Sequence, residues 1–335
     1  MSEQDMKANS PLIEVNDLKM HFTVSRGFHQ EKQVVKAVDG VSFKINKGEV
    51  LGLVGESGCG KTTVGKSVLR MYRPTGGEVI YQGKDILKLS DSQFKPYRRQ
   101  LQMIFQDPYS SIDPRQSVAG VLKETLKAGG KSYSKAELNE RIDEILVQVG
   151  LPVEMRDRYA HEMSGGQRQR LGIGRALACD PELIVCDEPV SALDVSIQAQ
   201  IINLFQKIQK SMGLTYLFIA HDLAVVRHIA DVVGVMYLGN MVEKMESNEL
   251  YKHPMHPYTI ALLSAIPITD YYKEKQRSRI VLQGEVPSPL HAPSGCPFNP
   301  RCPYATDQCR QEKPALKDMG DGHLVACHNV DKVSV

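Results

Sequence analysis

Positions 55–63 read Gly-Glu-Ser-Gly-Cys-Gly-Lys-Thr-Thr. The spacing Gly55, Gly60, Lys61, Thr62 fits G-x-x-x-x-G-K-[ST], a phosphate-binding loop. Glycines let the backbone approach a ligand closely and adopt positive φ, so successive N–H groups can point at phosphate oxygens. In this pattern Lys61 reaches the β- and γ-phosphates and the Thr62 hydroxyl binds Mg²⁺. Gly55, Glu56, Ser57, Gly58, Cys59, Gly60, Lys61, Thr62 and Thr63 are therefore the expected nucleotide contacts, with Cys59 a small filler inside the loop.

Further residues with chemical potential follow in order. "LIVCDEP" is an apolar run ending in Asp187 and Glu188. A carboxylate ending a buried strand beside a phosphate loop can hold Mg²⁺ through water. Its neighbour Glu188 can orient or deprotonate an attacking water. "SGGQRQR" (164–170) opens a helix, so Ser164 and the Gly165 and Gly166 amides form a second anion-binding N-terminus. "SALD" (191–194) follows the carboxylate pair, "AHD" (220–222) places His221 after an apolar run, and Gln106 follows "LQMIF".

The elements that must position these groups can be read from periodicity. "EVLGLV" (49–54) is the kind of apolar run a buried parallel strand shows, and 61–72 can be helical with its N-terminus toward the phosphates. Residues 12 to about 54 alternate as half-exposed antiparallel strands do, as in "VSFKI". Residues 116–178 read as mainly helical. Leu138, Ile142, Ile145, Leu146 and Val149 recur at helical spacing, and Gly150 stops that helix. Strands at 183–187, 214–220 and 232–238 then alternate with helices at 196–211 and 223–230, which implies a parallel sheet covered by helices. After about 250 the composition changes. Ten of the 18 prolines and three of the seven cysteines fall between 254 and 314, a loop-rich appendix rather than more sheet.

The totals exclude several classes. Lys and Arg number 41 against 39 Asp and Glu, so global charge makes no case for nucleic acid. The "KPYRR" run (95–99) reads as a solvated face. No apolar run approaches the ~18 residues of a membrane span, and the polar N-terminus has no signal-peptide core. A cytosolic setting makes structural disulfides unexpected.

Together these motifs resemble the ATP-binding subunit of an ABC transporter, over residues 12 to about 265. The resemblance implies an α/β P-loop NTPase fold. Its parts are a mainly parallel central sheet, an antiparallel β subdomain, a helical subdomain near 107–178 and a Cys/Pro-rich extension at 266–335, after a disordered segment 1–11. It implies that two such subunits pack head to tail and sandwich ATP. The phosphate loop of one would face Ser164, Gly165, Gly166 and Gln167 of the other. Glu188 becomes the general base, His221 the γ-phosphate sensor and Lys61 the phosphate clamp. Gln106 joins Thr62 and Asp187 around Mg²⁺, and Asp194 lies at the seam. Phe22 stands where the family stacks an aromatic on adenine. The signature begins with Met163 where the family usually has Leu, a swap of similar volume. "SSIDPRQSV" (110–118) becomes a docking zone for a membrane subunit.

"QDPYSSIDPR", "DEPVSALDVSIQAQ", "HPYTIALLSAIP" and the tail "LQGEVPSPLHAPSGCPFNPRCPYATDQC" resemble the oligopeptide and dipeptide importer branch, and best the subunit that works beside a second, non-identical ATPase. The implied assembly has two transmembrane permease subunits and an external solute-binding protein, with this chain peripheral on the cytoplasmic face of the membrane and no nucleic acid. Nickel and oligosaccharide importers belong to the same branch. A soluble translation or nucleic-acid factor usually carries two ATPase heads or a long coiled coil, and an exporter often fuses its spans. Cys296, Cys302, Cys309 and Cys327 have five, six and seventeen residues between them. Four thiolates can ligate Zn²⁺ or a [4Fe–4S] cluster, and four unliganded thiols are the remaining reading for a cytosolic set. The spacing lacks C-x₂-C pairs, and the resemblance implies the iron–sulfur cluster. Cys179 and Cys186 sit in apolar contexts as packing residues.

Overall fold

The computed structural model of the protein describes residues 11–24, 32–107, 112–266 and 279–333. The expected disordered segment lies outside these residues except for Pro11, as does part of the expected docking zone. In chain order the strands are β1 Ile13–Val24, β2 Gln33–Ile45, β3 Val50–Val54, β4 Gly76–Tyr81, β5 Lys84–Asp85, β6 Leu101–Ile104, β7 Leu183–Asp187, β8 Thr215–Ile219, β9 Val232–Tyr237, β10 Asn240–Glu246, β11 Lys317–Asp318 and β12 Leu324–Val325. The chain divides into two compact units. One takes Met1–Leu12, Ile45–Val50 and Lys88–Ile219, and the other takes Ile13–Lys44, Leu51–Leu87 and Ala220–Val335.

In the first unit β6, β7 and β8 pair in parallel, Leu101 opposite Leu183 and Leu183 opposite Thr215. Every residue of β7 and β8 is buried, as continuous apolar runs in a parallel sheet require. Three helices, Val118–Ala128, Lys135–Gln148 and Gly165–Leu177, pack on one another. The middle one starts with a capping box, Ser134 with Glu137, and buries Leu138, Ile142, Ile145 and Leu146 at the spacing read from the sequence. Helix Val195–Met212 buries Ile201, Ile202, Leu204, Phe205 and Ile208. Arg99, read as part of a solvated face, is instead half-buried and donates through Nε to the Cys179 carbonyl at 3.1 Å.

In the second unit β2, β1, β4 and β5 form a four-stranded sheet, with β1 and β4 antiparallel from Ile13 opposite Tyr81. This is the antiparallel region that alternation predicts. β3 pairs in parallel with β9, and β9 pairs antiparallel with β10. The helix after the phosphate loop is Lys61–Val68, shorter than the expected 61–72.

The tail corrects the expectation of an appendix without sheet. β12 pairs antiparallel with β10, Val325 opposite Glu243, and β11 adds to β12. An exposed strand edge presents unpaired N–H and C=O groups, and the tail covers the edge of β10. A buried polar knot fastens it. Glu243 is fully buried and accepts from His323 Nε2 at 2.7 Å, Met255 N at 2.7 Å and His256 N at 3.0 Å. Phe298, also fully buried, packs on Tyr237, Tyr258 and His256 with ring centroids 5.2–5.7 Å apart.

His256 caps helix Pro257–Ser264, its Nδ1 accepting from Tyr258 N at 3.1 Å. That role needs an unprotonated Nδ1. Burial pushes the His256 pKa down from 6.5 to about 4, with Glu243 opposing. Between those values the unfolded chain takes up a proton that the folded chain refuses. Stability present above pH 6.5 is therefore lost as pH falls toward 4, by up to about 3 kcal/mol. Denaturant titrations at pH 7.5 and pH 5 are expected to show this loss. His256→Asn, which can still cap but does not titrate, should be less stable at pH 7.5 and show a shallower acid limb. An unchanged acid limb in that variant would rule out His256 as its source.

Candidate nucleotide site

β3 delivers the chain into the phosphate loop as five fully buried residues. The loop is then closed by carbonyl groups from elsewhere in its unit. A Cβ at Gly55 would lie 2.2 Å from the Met236 carbonyl oxygen, and one at Gly60 would lie 2.1 Å from that of Ala37. Both residues have positive φ, 150° and 103°. Only glycine meets both demands. Gly60 is the N-cap of helix Lys61–Val68 and no side chain caps that helix. Such a helix end binds phosphate, because its first N–H groups and its dipole favour negative charge.

Lys61 is buried, and its Nζ donates to the carbonyls of Gly55 at 2.7 Å and Glu56 at 3.1 Å. The ammonium is thus drawn back over the loop that the sequence motif assigns to it. Cys59 is buried and its thiol pKa is raised by burial, as expected of a filler. Ser57 and Gly58 are exposed, and Thr62 and Thr63 sit half-buried in the first helical turn. Glu56 is more constrained than the motif suggests. Its N–H donates to Tyr258 Oη at 2.8 Å, and its carboxylate takes both terminal nitrogens of Arg301, at 2.8 and 3.2 Å. Sequence reading missed Tyr258 and Arg301. Their separations from Glu56, 202 and 245 residues, give no local signal.

In the same unit His221 is exposed and follows Ala220, whose N–H donates to the Leu53 carbonyl at 3.1 Å. Asp222 then caps helix Leu223–Ile229 through Ala224 N at 2.7 Å. Phe22 lies on β1, half-buried, with its ring edge-on to Tyr72 at 5.5 Å.

The carboxylate pair belongs to the other unit. Asp187 ends β7, buried and opposite Ile219 of β8. Glu188 follows with φ 45°, a left-handed conformation that a non-glycine residue adopts at a cost of about 1–3 kcal/mol. Its N–H donates to the Ile219 carbonyl at 3.0 Å. Gln106 Nε2 donates to Glu188 Oε2 at 3.0 Å, bringing together two residues 82 positions apart.

Ser164 is the N-cap of helix Gly165–Leu177. Its hydroxyl accepts from Gln167 N at 3.3 Å, and Gln167 Oε1 accepts from Ser164 N at 3.0 Å. Met163 before it is buried. Gly165 stands against Leu193, and a Cβ on Gly166 would lie 2.8 Å from Ile197. The signature segment thus abuts the turn that carries Asp194. Asp194 is the N-cap of helix Val195–Met212, yet its side chain makes no capping bond. Ser164, Gly165 and Asp194 are exposed, and Val195 is 82% exposed. Arg168 and Arg170 serve their own helix and its neighbours, donating to the carbonyls of Met163 and Val149.

Cys296 lies near enough to Cys302, Cys309 and Cys327 for their charges to couple. Cys296 N donates to the Cys309 carbonyl at 2.8 Å. Burial pushes the Cys296 and Cys302 thiols up to about 11, and the thiolate charges of the remaining cysteines push the same way. Burial raises Cys327 too. Asn329 donates to two of the sulfurs, Nδ2 to Cys309 at 3.3 Å and N to Cys327 at 3.4 Å. Even so, among the described residues no group of three or more His, Cys, Asp or Glu side chains stands in metal-ligating geometry. Cys179 and Cys186 are buried apart from these, as packing residues.

Comparison with known proteins agrees with these motifs. A family described as ABC transporter matches residues 38–191, and one described as oligopeptide/dipeptide transporter, C-terminal region, matches 242–309. The chain is 52% identical to the oligopeptide transport ATP-binding protein AppF of Bacillus subtilis, over 95% of this chain and 97% of that one. It is 48% identical to the dipeptide transport ATP-binding protein DppF of Escherichia coli, over 99% and 98%. Among solved structures, the dimeric bacterial ABC transporter cassette MJ0796 is similar with a TM-score of 0.63 at 25% identity, over 70% of this chain and 98% of that one. With its phosphate loop, its Asp187–Glu188 pair, its Ser164 signature helix and half its residues shared with AppF, the chain belongs to the ABC ATPase family, among the ATP-binding subunits of oligopeptide and dipeptide transporters.

Proposed function

We propose that this chain binds and hydrolyses ATP to drive the import of di- or oligopeptides, as one half of a heterodimer with a second, homologous ATPase. Its partners are two transmembrane permease subunits, with an external solute-binding protein supplying the peptide. Its place is then peripheral, on the cytoplasmic face of the membrane. No helix of the described residues is long and apolar enough to cross a membrane; in this reading the translocation path belongs to the permease subunits. Relatives named for oligopeptide and dipeptide transport match this chain nearly end to end, which favours peptide over nickel or oligosaccharide. The nucleotide-binding domain is assigned to 12–265, its helical subdomain to about 107–178, and the cysteine-bearing extension to 266–335.

The observation that carries the catalytic reading is Glu188. Its left-handed backbone follows directly on a buried strand, and its carboxylate is oriented by Gln106. Strained backbone at the end of a strand is a common way to fix a reacting group. In this reading Glu188 takes a proton from the attacking water and Lys61 holds the transferred phosphoryl group. His221 senses the γ-phosphate, and Phe22 stacks on adenine. Thr62, Gln106 and Asp187 would hold Mg²⁺, which neutralises phosphate charge. Ser164, Gly165, Gly166, Gln167 and Asp194 meet the nucleotide bound by the partner. The exposure of Ser164, Gly165 and Asp194, together with that of the apolar Val195, supports a face that a second chain covers. Hydrolysis removes the bridge between the chains, and the loss of γ-phosphate contacts releases the closed state.

The four cysteines are assigned to a [4Fe–4S] cluster, with zinc the alternative. Asn329 N–H donors on two of the sulfurs suit cluster ligands, since such donors tune a cluster. A bound cluster would tie together loops that have little core of their own.

Two measurements test these assignments. Glu188→Gln is expected to keep ATP binding, lose at least about 100-fold in turnover, and accumulate a closed dimer in ATP on size-exclusion chromatography. Turnover equal to that of the unaltered chain would remove Glu188 from its role. Protein purified without oxygen should be brown and absorb near ~400 nm. Colourless protein carrying one zinc would select the alternative, and protein free of both metals would end the ligand assignment.

A further inference from the structure

The phosphate loop carries a charge that ought to hinder its work. Glu56 is the first residue inside the loop, one position after Gly55, and a carboxylate there repels an incoming polyphosphate. The fold answers this charge from the far end of the chain. Arg301 grips the Glu56 carboxylate with both terminal nitrogens, at 2.8 and 3.2 Å. Bidentate pairs of this kind are the stronger and more directional ion pairs. The Arg301 side chain is 8% exposed and that of Glu56 27%, so solvent screens this pair less than a surface pair. The guanidinium also lies over the Tyr237 ring at 5.9 Å. The Glu56 hydrogen bond holds it charged above its usual range.

Arg301 itself is held in place. It ends the short turn Asn299–Arg301, directly after Phe298. Phe298 is fully buried against Tyr237, Tyr258 and His256. Tyr258, in the same aromatic cluster, accepts the Glu56 N–H. Glu56 is thus fixed at its amide by Tyr258, at its carbonyl by Lys61 and at its carboxylate by Arg301. Two of these three holds come from residues beyond Ala220.

We propose that Arg301 is a positioning residue for nucleotide binding: the C-terminal extension reaches back to the phosphate loop of its own chain, cancels the Glu56 charge and pins the loop backbone. The inference rests on the reading that ATP phosphates bind at this loop. A tail that merely docks there would need the contact but not the charge cancellation, and the two roles give different mutant patterns.

The test measures Mg·ATP affinity of the full-length chain by calorimetry at low and high salt. Arg301→Gln is expected to weaken ATP binding about tenfold at low salt, the size of one poorly screened like-charge contact, and less at high salt. Adding Glu56→Gln to Arg301→Gln removes the orphaned carboxylate and should restore affinity to within about threefold of the unaltered chain. Arg301→Lys, which keeps the charge and loses the bidentate grip, should fall between. A double variant as weak as Arg301→Gln alone would overturn charge cancellation, and so would a loss independent of salt. If Arg301→Gln does not fold, as seen by circular dichroism, Arg301→Lys against Glu56→Gln/Arg301→Lys carries the same comparison. Lys61→Ala separates the two levels. If it keeps ATP affinity, the loop assignment fails. If it loses affinity while Arg301→Gln does not, only this inference fails.

Discussion

Two carbonyl oxygens set the terms for this protein. Those of Met236 and Ala37 come so close to Gly55 and Gly60 that no side chain fits at either position. The loop between them is therefore a piece of backbone packed against backbone, and its shape is fixed by the strands that carry Met236 and Ala37. Phosphate recognition by N–H groups works only when those groups are already aimed, because ordering a flexible loop on binding costs about 1–2 kcal/mol per residue. Lys61, buried and bonded to the loop's own carbonyls, belongs to the same preorganised unit.

The tail takes part in this constraint. Its strand β12 completes β10, its His323 satisfies the buried Glu243, and its Phe298 packs on both Tyr237 and Tyr258. Tyr237 and Met236 lie on the same strand, β9. One side of β9's environment shapes the loop through the Met236 carbonyl, and the other receives the tail. A buried carboxylate with three donors is a costly feature to keep in a core, and removing one partner of such a pair typically costs about 3–5 kcal/mol. Glu243 is tolerated because His323 and two amides from the 255–256 turn converge on it.

What could be read in the sequence follows from how local its physics is. The phosphate loop, the capped helix Lys135–Gln148 and the buried strands β7 and β8 each declare themselves within a dozen residues, through motif or periodicity. The pairing of Gln106 with Glu188 spans 82 positions, and nothing local announces it. β10 escaped notice because "NMVEKME" shows no clean alternation, and its one fully buried charge, Glu243, looks like a surface residue until His323 is beside it. β11 and β12 are two residues each, too short for any period. Arg301 sat in a proline-rich stretch, where rigid loops say little about contacts 245 residues away.

The cysteines and the arginine occupy one stretch of chain, and this bears on what the extension is for. Arg301 precedes Cys302 by a single residue, and Phe298 lies two beyond Cys296. Whatever fixes those two sulfurs fixes the turn that carries both Phe298 and Arg301. A loop-rich segment with little core has few ways to hold a guanidinium in one bidentate geometry, since each long side chain loses about 2 kcal/mol of rotamer freedom when ordered. A metal bound by Cys296 and Cys302, as proposed above, would tether both ends of the turn and remove much of that freedom beforehand. Residues 298 to 302 join the cysteine-bearing stretch to the phosphate loop, through Phe298 on Tyr258 and Arg301 on Glu56, so stiffness supplied at one end would be available at the other.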